Sequence, residues 1–64
     1  MIGHLVAAWE LGVLDERAAR PWQRGVGKHG VSAETRAYRA ARIHEREAMR
    51  REKRLAQLEL ELTA

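Results

Sequence analysis

The sequence predicts an all-α fold: a short apolar N-terminal helix, a Gly-rich turn and a long C-terminal amphipathic helix with a heptad seam. Apolar residues recur at helical spacing from Ile2 to Val13. Gly25, Gly27 and Gly30 follow closely on Pro21, the only proline. From Ala33 to Ala64 there is no Gly and no Pro, and strong helix formers dominate. The chain therefore divides into a helical segment over 1–20, a Pro/Gly-rich hinge over 21–32 and a long helix over 33–64, one small domain in total.

In the first segment Ile2, Leu5, Val6, Trp9 and Val13 define one face. Ala7, Ala8, Leu11 and Leu14 make much of the other side apolar, leaving His4 and Glu10 as polar points. A helix apolar nearly all round is expected to be buried. Gly12 weakens its last turn. Residues Asp15 to Arg20 then suit a short amphipathic helix that Pro21 stops, because a proline disfavours helical geometry in the residue before it.

The hinge, PWQRGVGKHGVS, invites comparison with a phosphate-binding loop. That loop needs a glycine five residues before its Gly-Lys pair and a Ser or Thr after it. Here those positions hold Trp22 and His29, and the upstream segment reads as helix rather than strand. The stretch is read as a turn, with Ser32 as N-cap of the next helix and Glu34 at the positive end of its dipole. The weaker anion-holding reading of Lys28, His29 and the helix start ranks below it.

Placed at about 100° per residue, the long helix shows a seam of Ala37, Ala41, His44, Ala48, Arg51, Leu55, Leu58 and Leu62 with alternating spacings of four and three. Opposite it lies a basic stripe of Arg36, Arg39, Arg42, Arg46, Arg50, Lys53 and Arg54. Glu34, Glu45, Glu52 and Glu59 gather on one flank of the seam. The final LELELTA alternates as a strand would, but it continues a run without breakers and is read as helix.

Facing charges weigh against a long homodimeric coiled coil, since glutamates would meet on the flanks of the seam. A different partner helix fits better, beginning with the first helix folded back through the turn so that its Trp9 face meets the alanine half of the seam. At about 20 Å that helix is too short to cover the leucine half. Trp9, Trp22, Leu55, Leu58, Leu60 and Leu62 are therefore the candidate protein contacts. Large apolar groups left in solvent at one end of a helix mark a contact surface, and Trp is enriched among binding anchors.

The chain has 64 residues, a net charge of +3 and no cysteine, so neither a disulfide nor a thiolate metal site supplements its small core. Stability is expected to come partly from an oligomeric assembly or a larger partner. Met1 to Leu14 falls short of the roughly 20 apolar residues of a membrane span and lacks the basic start of a secretory signal. Cytoplasmic residence, or a place within a phage particle, is expected. The preference for Arg over Lys suits a GC-rich bacterial or phage genome.

No catalytic motif survives inspection. HEREA at His44 lacks the second histidine of the helical zinc-protease motif, and His4, His29 and His44 have no ligand spacing. No enzyme activity, cofactor or metal is expected. The reading that fits best is a non-catalytic accessory or assembly subunit that binds a larger protein complex through the apolar first helix and the leucine seam. The second is a basic-helix nucleic-acid binder that contacts phosphates through the arginine stripe. A membrane-surface helix ranks third, because the alanine-rich seam offers little to insert.

Overall fold

The computed structural model describes residues 2–25 and 32–63. It contains two helices, α1 (Ile2–Arg17) and α2 (Ser32–Thr63), packed on each other as a helical hairpin 52 Å long. Among the described residues there is no strand, and the alternating leucine end is the last turns of α2. Gly27, Lys28, His29 and Gly30 lie outside the described residues, as does the Ser32 side chain to which the cap is assigned.

α1 runs unbroken to Arg17, so Asp15 to Arg17 form its last turn rather than a helix of their own. Pro21 does not end it. Ala19 takes a left-handed conformation with φ 54°, its N–H donates to the Glu16 carbonyl at 3.1 Å, and the Arg20 N–H donates to the Asp15 carbonyl at 2.9 Å. These two bonds are the paired closure that commonly ends helices on a glycine. An alanine in that conformation costs about 1 kcal/mol more than glycine.

The contact face of α1 differs from the expected one. Leu5, Ala8, Leu11, Gly12 and Asp15 turn toward α2, whereas Val6, Trp9 and Leu14 keep 38–66% of their surface exposed. The correction has a simple cause. The apolar residues of α1 encircle the helix, so hydrophobicity does not select a face, and size does. A Cβ on Gly12 would sit 2.5 Å from the Tyr38 carbonyl oxygen and 2.8 Å from the Ala41 Cβ. Gly12 is the point where the two backbones touch, not merely a weak spot in the last turn.

The face of α2 is corrected in the same sense. Its buried residues are Glu34, Tyr38, Ala41, Arg42 and Glu45, a band rotated by roughly 90° from the expected seam. Of the expected seam, Ala41 is inside the contact and Ala37 and Ala48 border it, but His44 and Arg51 are exposed. Of the glutamates read as a flank, Glu34 and Glu45 are therefore inside the interface, Glu52 meets its edge through Arg17, and Glu59 is exposed beyond it. The apolar core itself is small: Ala8 and Tyr38, with Leu11 and Ala37 against them.

Gly12→Ala tests this contact. Overpacking against backbone costs about 1–3 kcal/mol, against a helix-propensity gain of about 1 kcal/mol. Thermal unfolding followed by circular dichroism is expected to show a lower Tm. An unchanged or higher Tm would mean that the helices do not meet at Gly12.

Candidate protein-interaction surface

Three clusters of polar side chains fix how α1 sits on α2, and so decide which surfaces stay free. The Tyr38 hydroxyl, fully buried, donates to Asp15 Oδ2 at 2.7 Å and accepts from Arg42 Nη1 at 2.8 Å and from the Gln23 N–H at 3.3 Å. Gln23 Nε2 adds a second donor to Asp15 Oδ2 at 2.9 Å. The other oxygen, Oδ1, has no hydrogen-bond donor among the described residues, and the Arg20 guanidinium lies 3.8 Å from it.

Arg42 spends all its guanidinium nitrogens internally. Nε donates to Glu16 Oε1 at 2.9 Å, Nη1 to Tyr38 and Nη2 to the Arg20 carbonyl. Arg46 Nε donates to the second Glu16 oxygen at 3.1 Å. Trp22 lies against both cations, its ring centre 5.2 Å from the Arg42 guanidinium and 5.7 Å from that of Arg46, and meets Tyr38 edge-on. The third cluster belongs to Arg17, which forks onto Glu52 at 2.9 and 3.1 Å and donates from Nε to Glu45 at 2.8 Å.

These contacts shift the acids in one direction. The Tyr38 hydrogen bond holds the Asp15 carboxyl below its ordinary value against the opposing effect of burial, helped by Gln23, Arg20 and Arg42. Bonds from Arg46 and Arg42 do the same for Glu16, and the Arg17 fork does so for Glu52. Burial pulls the Arg42 guanidinium down, but its bonds to Glu16 and Tyr38 outweigh this and hold it above its ordinary value.

What remains uncovered is the far end of α2. Every described residue from Arg50 to Thr63 is exposed, including Leu55 at 60%, Leu58 at 51%, Leu60 at 64% and Leu62 at 84%. The helix holds its last turn with the Thr63 hydroxyl donating to the Glu59 carbonyl at 2.8 Å. Leu55, Leu58 and Leu62 share one side of the arm, whereas Leu60 falls roughly opposite them. Trp9 is exposed and leans on His44, with ring centres 5.7 Å apart. Beside it on α1, Glu10, Val13 and Leu14 line a shallow depression of about 280 Å³.

The arginine stripe is divided. Arg42 is 2% exposed and faces α1, so it does not belong to an outer basic surface. Arg46 is exposed but tied to Glu16 and Trp22. Arg36, Arg39, Arg50, Lys53 and Arg54 are exposed and form no ion pair among the described residues. Sequence reasoning did not single out Asp15, Glu16, Arg17 or Tyr38 as the residues that seat α1. Two signals for them were present: the regular line of Glu34, Glu45, Glu52 and Glu59, and the lone acid pair followed by Arg17 at the end of an otherwise apolar helix.

No described helix is long and apolar enough to cross a membrane. Comparison with protein-family models, curated proteins and solved structures finds no match.

Acid should separate the helices. Asp15, Glu16 and Glu52 have folded-state values below their unfolded ones, so the stability they contribute is fully present above the unfolded values of about 3.9–4.3. It is lost as the pH falls from there through the folded values. Chemical denaturation is expected to give a flat midpoint from about pH 5 to 7 and a decline below about pH 4. A midpoint that holds or rises on acidification would show that these carboxylates do not seat α1.

Proposed function

We propose that the chain is a non-catalytic helical accessory or assembly subunit that works by binding a larger protein complex. The leucine end of α2 is the main contact, with the outer apolar face of α1 around Trp9 as a second. One observation carries this reading: Leu55, Leu58 and Leu62 share one side of a helical arm that α1 does not reach, and each is more than half exposed. Burial of a leucine side chain is worth about 1.5–3 kcal/mol, so a surface that covers this row gains that stabilisation, and clustered exposed leucines mark a place for one. A role in phage or bacterial assembly, in the cytoplasm or within a particle, suits the size and composition.

The nucleic-acid reading keeps one observation in its favour, the exposed cations Arg36, Arg39, Arg50, Lys53 and Arg54, which form no ion pair among the described residues. It loses Arg42 and Arg46, which bind Glu16 instead. A phosphate-contacting surface would be narrower than the sequence implies, and its binding would be steeply salt-dependent.

Joint substitution of Leu55→Ala and Leu58→Ala tests the proposal. In affinity capture performed with nuclease, partner retention should fall at least about tenfold, since deleting a packed leucine costs roughly 2–5 kcal/mol. The tryptophan environment, set by residues 9 and 22, should stay unchanged. Unchanged retention would remove the leucine end from the interface. Material lost on nuclease treatment alone would favour the basic surface.

A further inference from the structure

We infer that the surface covering the leucine end is a second copy of this chain, aligned antiparallel over residues 50–63 of α2. The inference rests on the reading of that end as an interface and makes a second copy its occupant, which leaves the outer apolar face of α1 around Trp9 for a larger complex. Three observations lead to it.

The first is the charge left free by the fold. Along the arm, Arg50, Arg51, Lys53 and Arg54 come first and Glu59 and Glu61 come last, and none of them forms an ion pair among the described residues. The acid that would break the basic block, Glu52, is held in the fork of Arg17. One arm is thus basic at its start and acidic at its end. Antiparallel pairing sets each basic start against the acidic end of the other copy, and two-fold symmetry makes the match twice.

The second is the seam. Arg51, Leu55, Leu58 and Leu62 fall within about 60° of helix surface. With Leu55 opposite Leu58 of the second copy, Arg51 lies opposite Leu62, and Arg54 on the flank faces Glu61. A parallel pair would instead set Arg51 against Arg51 inside the seam. On the other flank Glu59 comes opposite Glu52 of the second copy, where the Arg17 fork offsets the Glu52 charge, and Glu45 is likewise bonded to Arg17.

The third is space. α1 binds the side of α2 that carries Tyr38, Arg42 and Glu45, and its furthest contact is Glu52. The arm beyond is exposed on every side. Two arms overlap there for about 20 Å, with each body beyond the other's end. The overlap is short, so the dimer is expected to form and dissociate with concentration rather than to be permanent.

The experiment is sedimentation equilibrium of the full chain from micromolar to millimolar concentration, with charge variants of two exposed residues. The wild type should move from one chain to two. Arg54→Glu and Glu61→Arg should each weaken the dimer at least about tenfold, while an equimolar mixture of the two, which restores both opposed pairs, should recover it. Recovery by mixing with Glu59→Arg in place of Glu61→Arg would overturn the antiparallel alignment. A wild type that stays monomeric throughout would overturn the second copy as the occupant. In that case, capture of another protein that is lost in the Leu55→Ala, Leu58→Ala chain leaves the interface reading standing, and unchanged capture ends both.

Discussion

The structure depends on how closely one backbone approaches another. At Gly12 the first helix has no side chain, and the Tyr38 carbonyl and the Ala41 methyl occupy the space a Cβ would need. That contact sets the height of α1 above α2. At this separation a tyrosine ring fills the interface from one side, and long side chains at the end of α1 reach across its edges. With a larger residue at position 12 the helices would stand apart, and the hydroxyl of Tyr38 would lose its reach to Asp15.

Close approach of this kind leaves little room for large apolar side chains, and the core shows it. Buried Ala8, Ala41 and the Tyr38 ring are outnumbered by buried Asp15, Glu34, Arg42 and Glu45. Burying charge is costly unless every partner is supplied. The fold supplies most of them: Glu16 and Tyr38 for Arg42, Tyr38 and Gln23 for Asp15, Arg17 for Glu45. Such a network adds modest net stability, but it fixes which face of α2 receives α1, because any other placement leaves Arg42 or Asp15 without partners. It also draws the connecting segment into the structure through Arg20, Trp22 and Gln23. Residues 20–23 are thus part of the packed structure. The outcome for function is a division of labour along α2: its first half is consumed by α1, and its second half is left bare.

The existence of the helices was legible from breakers and formers, because no Gly or Pro interrupts residues 33–64 and Pro21 with its glycines separates them from α1. The exposed leucines were legible too, since helix length alone puts them beyond α1. The contact faces were not. Hydrophobic periodicity assumes that apolar residues point inward, and here α1 is apolar all round while the middle of the α2 face is a tyrosine flanked by charged groups. Arg42 illustrates the failure: by spacing it belongs with Arg39 and Arg46 on a solvated stripe, and only its distance to Glu16 and Tyr38 shows that it is internal. The glutamate line read as a flank became legible once Arg17 was seen to end α1 beside it.

The central claim is that α1 locks onto the first half of α2 and leaves residues 53–63 as a bare helical arm. Residue-resolved amide hydrogen exchange, measured in the dilute chain and again at high concentration, tests it directly. Strong protection is expected from Leu5 to Glu16 and from Glu34 to Met49, with rapid exchange over 53–63 in the dilute chain and slower exchange in that arm alone as concentration rises. Protection running undiminished to the end of α2 in the dilute chain, or rapid exchange around Tyr38, would contradict it.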